Sequence, residues 1–248
     1  MTLADWHMRY LQQSQWTQDI RRQIFANARL EPDDCVLEVG VGTGAVLSRI
    51  AADYNCVLAG IDIDYQSLRF AQSILPICTL TQADAHILPF PDDKFSLTYC
   101  HYLLMWVDDP IQALAEMQRV TQPGGFMIAL AESDYSARID FPPPLDILGR
   151  LQTDALQAQG ADIRMGRKLG GLFHKAGFSD IEVGLLGARW ETDQSQDDDE
   201  TEWMTLFSDL GERLSAQELT EYQQADEWAG RAGSRVLFIP TFYAVGKA

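Results

Sequence analysis

Val36-Leu37-Glu38-Val39-Gly40-Val41-Gly42-Thr43-Gly44 is a short apolar run that ends in three alternating glycines. A second apolar run, Val57-Leu58-Ala59-Gly60-Ile61, ends on Asp62, 22 residues past Gly40. A β-strand feeding a glycine turn brings bare backbone against a ligand, and a carboxylate at the tip of the next strand can take both hydroxyls of a ribose. The two runs therefore read as the first βαβ unit of an α/β fold that binds an adenosine-containing cofactor. Two kinds of cofactor compete. Gly40, Gly42 and Ala45 satisfy the G-x-G-x-x-A form of a dinucleotide fingerprint. Glu38, two residues before the first glycine, fits that reading badly, because it would lie close to a pyrophosphate and like charges repel at that range. S-adenosylmethionine carries an ammonium and a sulfonium and no phosphate, so an acidic strand end beside the turn suits it.

The segment Glu38-Val39-Gly40-Val41-Gly42-Thr43-Gly44 resembles motif I of the class I S-adenosylmethionine-dependent methyltransferases, and Gly60-Ile61-Asp62-Ile63-Asp64 resembles the segment that follows it. The likeness continues from Gln82-Ala83-Asp84-Ala85-His86 to Phe95, through Val107-Asp108-Asp109-Pro110, and closes on Arg119-Val120-Thr121-Gln122-Pro123-Gly124-Gly125. Order and gaps are similar to the ubiquinone/menaquinone-type small-molecule branch, over about half of the chain. The resemblance implies a site. Gly40, Gly42 and Gly44 would let backbone approach the methionyl part of the cofactor, with Glu38 reaching its ammonium. Asp62 would hold the ribose and Ile63 would lie on the adenine. Asp84, beside the N–H of Ala85, would accept from the adenine amino group. Cys100 and His101 would face the methyl group. Ser96 departs from the family's usual Asp, at a position that more often serves structure than chemistry.

The length, 248 residues, suits one domain with a sizeable core. No apolar run of about 18 residues is present, so no membrane span is expected. Met1-Thr2-Leu3-Ala4-Asp5-Trp6-His7 has neither the basic start nor the apolar stretch of a signal peptide. Cys35, Cys56, Cys78 and Cys100 lack metal-ligand spacing; no zinc or disulfide is expected, and free thiols fit a reducing cytoplasm. Of the net charge of −17, residues 191–228 supply thirteen Asp and Glu against a single Arg213. An acidic chain gains none of the counterion release that drives binding to nucleic acid, and DNA, RNA and anionic membranes are discounted as partners. The acidic stretch reads as a solvated face, or as a field that attracts a cationic amine.

The fold class expected is a Rossmann-like three-layer α/β sandwich with a seven-stranded, mostly parallel sheet whose last strand is antiparallel. Strands are placed at 35–39, 57–61, 77–81, 95–100 and 126–131, then at 181–186 and 238–245. Helices are placed at 44–52, 65–73, 109–120, 145–159 and 167–176. Thr43 and Asp64 are candidate caps of the first two helices, and Pro123-Gly124-Gly125 is expected to end the helix before strand five. Residues 1–30 read as a helical cap, 31–135 as the cofactor-binding core, and 190–235 as an acidic helical insertion between the last two strands. In that insertion Trp203, Phe207, Leu210 and Leu214 recur at helical spacing, followed by Leu219, Tyr222 and Trp228. The stripe fits a lid over the substrate and fits a homodimer interface equally well.

Tyr10 and Trp16 in the cap, and Tyr135 and Arg138 in the polar loop after strand five, are the candidate substrate residues. Arg164, Arg167 and Lys168 form a basic cluster that fits a carboxylate grip or a surface patch. His101 is the candidate general base. The function expected is in-line methyl transfer to a small organic acceptor at O, N or C, leaving S-adenosylhomocysteine. The alternative is a cofactor-binding protein or partner subunit without turnover.

Overall fold

The computed structural model of the protein describes residues 1–186 and 196–248, with side chains described outside 187–200. The first residues of the acidic insertion, 190–195, lie outside the described residues. Five parallel strands, β1 (Cys35–Val39), β2 (Val57–Asp62), β3 (Thr79–Gln82), β4 (Phe95–Cys100) and β5 (Thr121–Ser133), are joined by β7 (Ser179–Leu186) and β9 (Thr241–Lys247). The order across the seven-stranded sheet is β3-β2-β1-β4-β5-β9-β7, and β9 runs antiparallel to both of its neighbours. Strand order reverses between β1 and β4, the place where open parallel sheets bind ligands beyond their carboxyl ends.

Both faces of the sheet are covered, which is why its central strands are nearly uninterrupted apolar runs. On one face Val36, Leu97 and Tyr99 pack against α2 (Gln18–Ala28), α3 (Ala45–Asp53) and α4 (Tyr65–Ile74) through Phe25, Leu47, Ile50 and Leu68. On the other, Leu37, Val39 and Ala129 meet α5 (Pro110–Val120) and α7 (Met165–Ala176) through Leu114, Met117, Leu169 and Phe173. A third, smaller core has no sheet at all. Leu145, Leu148 and Ala155 of α6 (Pro143–Ala158) pack on Trp203, Leu206 and Leu210 of α8 (Gln196–Leu210) and on Leu219 and Ala229 of α9 (Ala216–Arg231). The insertion's apolar stripe is thus spent on α6. Its inner row is Trp203, Leu206, Leu210, whereas Phe207 and Trp228, expected in the stripe, are exposed.

Several local expectations change. The N-terminal cap divides into α1 (Leu3–Trp16) and α2. Asp64 caps α4, accepting from the N–H groups of Gln66 and Ser67. Thr43 caps nothing: Gly44 is the N-cap of α3, and the Thr43 hydroxyl instead meets His7 Nδ1 at 2.9 Å. β5 begins at Thr121, and Pro123-Gly124-Gly125 forms a bulge inside it, where the pairing with β4 shifts between Phe95 and Leu97. β3 starts at Thr79, two residues late, leaving Ile77 exposed. A two-stranded ribbon, β6 (Ile139–Phe141) with β8 (Val236–Phe238), was not anticipated, because three-residue strands carry too little periodicity to read. It brings the loop after β5 against the segment before β9. Among the described residues no helix is long and apolar enough to cross a membrane.

The separate core of α6, α8 and α9 predicts that Trp203→Ala loosens these helices alone. Removing a buried Trp costs about 3–5 kcal/mol. Amide hydrogen exchange should accelerate across α8 and α9 while β1, β4 and β5 stay protected; loss of protection throughout the sheet contradicts this division.

Candidate active site

The carboxyl ends of β1, β2, β4 and β5 open into one cavity of about 1090 Å³, whose far walls are α1, α6 and α8. The glycine turn is its floor. The N–H groups of Gly40 and Val41 both donate to the Ile61 carbonyl, at 2.9 and 2.8 Å, which ties the turn to β2. Gly42 N–H donates to Asp62 Oδ2 at 2.7 Å, and Asp64 N–H to Asp62 Oδ1 at 2.9 Å. Gly42 has φ +51, and a Cβ there would find only Tyr10 and Asp62, at 3.8 and 4.0 Å. The space above it belongs to the cavity. Gly40 sits over Leu103, whose Cδ1 would lie 2.8 Å from an added Cβ.

Gly44 does something else. An added Cβ would strike Leu75 and Ala71 at 3.0 and 3.1 Å, so its bareness lets α3 approach α4 and not a ligand, contrary to the sequence reading. Cys100 is also corrected. As the last residue of β4 it still obeys the strand's alternation, which turns its side chain into the core with Leu37 and Val39. Burial pushes its thiol well above the ordinary range.

Glu38 lines the cavity yet is almost fully buried, and Tyr99 donates to its Oε2 at 2.7 Å. Burial pushes its pKa up to about 8, against the Tyr99 bond and the Arg21 guanidinium, which favour the ionised form. Asp62 is pushed up as well, chiefly by burial, against the two backbone donors. Beyond Asp62 the floor continues as an open edge. Ile63 is 68% exposed, which is unusual for an isoleucine at a strand tip. Asp84 is exposed, with His86 Nδ1 at 2.6 Å from Oδ1, and His86 Nε2 accepts from Asp109 N–H at 3.2 Å. Ala85 lies beneath, buried. Ile63, Asp84 and Ala85 sit on this edge and outside the cavity wall.

His101 and Tyr102, just past β4, turn into the cavity. His101 Nε2 lies 3.4 Å from Thr17 Oγ1. Burial, with Arg21 facing it, pulls its pKa down to about 3, so it stays neutral and is a feeble proton acceptor. The candidate general base is thus a neutral imidazole on the cavity wall. The turn that follows is held by a residue the sequence reading missed. Glu132, fully buried at the end of β5, accepts from the N–H groups of Leu103, Leu104 and Met105 at 3.0, 2.7 and 3.0 Å. Ser96 proves structural, donating to Asp34 Oδ1 at 2.5 Å.

All four candidate substrate residues, Tyr10, Trp16, Tyr135 and Arg138, line the cavity. Trp6 stacks on Tyr10. The Arg138 side chain is buried and ion-paired with Asp140. Arg9, which the sequence did not single out, is buried: Nη1 donates to Gln12 Oε1 at 2.7 Å, Nη2 to Glu202 Oε2 at 2.5 Å, and the guanidinium stacks over Trp16. Thr201 Oγ1 donates to the same Gln12 oxygen at 2.5 Å, so α1 and α8 are clasped together across the cavity. The shared face of Arg9, Gln13 and Trp16 at helical spacing was the available signal. Two of the basic cluster are ion-paired, Arg167 with Asp134 and Lys168 with Asp162, and the Arg164 N–H donates to Asp162 Oδ1 at 3.1 Å.

A sequence profile described as "Methyltransferase domain" matches residues 37–129. The phosphatidylethanolamine N-methyltransferase of Cereibacter sphaeroides is 35% identical over 99 residues, covering 38% of this chain and 48% of that protein. The ubiquinone/menaquinone biosynthesis C-methyltransferase UbiE of Desulfotalea psychrophila is 29% identical over 196 residues, covering 68% and 78%. Among solved structures, a putative sarcosine dimethylglycine methyltransferase from Galdieria sulphuraria superposes with a TM-score of 0.59 at 12% identity, covering 96% of this chain and 85% of that one. The [4+2]-cyclase SpnF gives the same TM-score at 18% identity, covering 88% and 76%. The fold is that of the class I S-adenosylmethionine-dependent methyltransferases. The chain spans half or less of the length of several curated relatives that it matches, 34% and 48% in two instances.

Glu132→Ala leaves three N–H groups without their acceptor. At about 1–3 kcal/mol for each unsatisfied donor, the loss should reach at least about 3 kcal/mol in denaturant unfolding. An unchanged midpoint would show that the turn after β4 is held by other contacts.

Proposed function

We propose that this chain transfers a methyl group from S-adenosylmethionine to a small organic acceptor bound in the cavity between the glycine turn and α1, α6 and α8. One observation carries the reading: the Gly42–Asp62 turn opens into the same cavity as the aromatic and polar walls, and the acidic side chains lining that end are Glu38 and Asp62. Carboxylates suit the ammonium and ribose of S-adenosylmethionine and repel a pyrophosphate. The open space at Gly42 and the exposed face of Ile63 complete the fit. The names of the relatives, an N-methyltransferase and a C-methyltransferase, support an organic acceptor without choosing its nucleophile. The acidic balance supports a small molecule over nucleic acid. We further read the chain as one methyltransferase domain, with residues 1–30 as a cap and 190–235 as a lid, acting in a reducing cytoplasm.

When bound, S-adenosylmethionine supplies a methyl carbon already activated by its sulfonium. The chain's own work is positioning, which in well-aligned reactants is worth about 7–11 kcal/mol. Asp62 holds the ribose with the lone pairs that Gly42 and Asp64 leave unused. Glu38 meets the ammonium. Ile63 and Asp84 receive the adenine on the open edge. The clasp of Arg9 and Gln12 on Glu202 and Thr201 shuts water out above the acceptor. Neutral His101 shapes the wall beside the reacting centre.

Isothermal titration with S-adenosylmethionine tests the cofactor site. Wild type should bind, and Asp62→Ala, which loses the ribose acceptor and frees Gly42, should bind at least about tenfold more weakly, as expected for a hydrogen bond to a charged group. A folded wild type that binds no S-adenosylmethionine sinks the proposal. Formation of S-adenosylhomocysteine with any acceptor separates an enzyme from a protein that only binds the cofactor.

Glu38 adds a pH signature. Its pKa of about 8 leaves the free chain's carboxyl mostly protonated at pH 7. An ammonium arriving beside it favours the ionised form, so binding should release up to about one proton near pH 7. Titration in buffers of different ionisation enthalpy measures that release. Glu38→Gln should abolish it; the same proton count in the variant would place the titrating group elsewhere.

A further inference from the structure

Several of the charges on the cavity's walls are ion-paired among the described residues. Arg9 is taken by Glu202, Arg138 by Asp140, and Arg235 by Asp226 and Asp140. Glu38 and Asp62 belong to the cofactor end. Glu212 and Arg213 are exposed and opposite in sign, with Arg213 donating to the Asp154 carbonyl at 3.1 Å. Asp209 of α8 remains. It lines the cavity, is half-buried, and has no cation paired to it among the described residues.

This carboxylate is held in place. Gln152 Nε2 donates to Asp209 Oδ2 at 2.8 Å. Gln152 itself is only 3% exposed, and its Oε1 accepts from Arg138 Nη1 at 2.5 Å. Arg138 is fixed in turn by Asp140 on the β6–β8 ribbon. The chain Asp140–Arg138–Gln152–Asp209 therefore sets the orientation of a buried amide so that its NH₂ faces the carboxylate. Burial pushes the pKa of this partly desolvated carboxylate up, against the Gln152 and Gln159 bonds and the Arg9 charge, so it is costly to keep ionised without an ion pair of its own. A cation in the cavity would offset that cost. The same cavity presents the half-exposed ring of Trp106, and aromatic faces attract cations; the Trp16 ring already carries Arg9 on one face.

We propose that Asp209, oriented by Gln152, receives a positively charged group of the acceptor, so that the substrates of this chain are small amines. The inference rests on the methyltransferase reading and names the acceptor class. Asp209 acts as a specificity residue. It recognises charge and is assigned no part in moving the methyl group.

The test uses the full chain saturated with S-adenosylhomocysteine and isothermal titration of matched probes: phenethylamine against 3-phenylpropionate, and histamine against imidazole-4-propionate. Each pair keeps its ring and reverses its charge. At least one amine should bind more tightly than its acid partner by about tenfold or more, the scale of one well-placed charge pair. Asp209→Asn, which keeps an oxygen for Gln152, should erase that preference, and Asp209→Glu should restore part of it, with S-adenosylmethionine affinity unchanged in both. Binding of the acids in preference, no binding of either amine, or an amine preference that survives Asp209→Asn overturns the proposal. A wild type that binds cofactor but no amine overturns this inference alone; one that binds no cofactor overturns it together with the reading beneath it.

Discussion

The bond from Gly42 N–H to the Asp62 carboxylate is the constraint from which the site follows. It joins the turn after β1 to the tip of β2, and so fixes the floor of the cavity at the place where strand order reverses. Gly42 can supply that donor only in a left-handed conformation, with nothing projecting above it. Asp62 can accept it only from the carboxyl end of a neighbouring parallel strand. Everything above the floor is then arranged around an opening whose position the sheet has already decided. Helices α1 and α8 roof it, and Glu132 holds the turn that forms its side.

Much of this was legible in the residues. The strands and their order of use, the glycine turn, Asp62 and the Asp64 cap are local patterns, in which each residue's neighbours in sequence are also its neighbours in space. The misses share the opposite property. Arg9 meets Glu202 across 193 positions, and nothing near either residue announces the other. Glu132 looks like a polar strand end until the turn it caps, 27 to 29 residues earlier, is seen beside it. Cys100 was misplaced by one residue of register. A strand's alternation persists through its last residue, and only the chain beyond it is released toward the ligand. Gly44 was misassigned because three alternating glycines look alike in sequence, while the structure divides their work between the cavity and helix packing.

Fold and chemistry stand in different relations to these observations. The same architecture is found in proteins named as methyltransferases and in one named as a [4+2]-cyclase. The sheet therefore argues for where a ligand sits and leaves the reaction to the side chains around it. Those side chains fall into two groups. The floor comes from β1, β2 and their turns. The roof and walls come from α1, α6 and α8, whose packing rests partly on a core of their own. Floor residues fall within the profile match at 37–129, whereas Arg9, Gln152 and Asp209 lie outside it.

The position of β9 carries a consequence for the order of assembly. This strand, residues 241–247, is placed inside the sheet, between β5 and β7. Strands β1 to β5 can pair with one another as soon as they are made, since each adjoins a partner already synthesised. β7 cannot: it has no neighbour in the sheet until β9 arrives more than 50 residues later. Such non-local pairing is the slow part of folding. The half of the sheet that holds the cofactor floor can thus consolidate first, and β7 must wait as an unpaired strand for the segment that will separate it from β5.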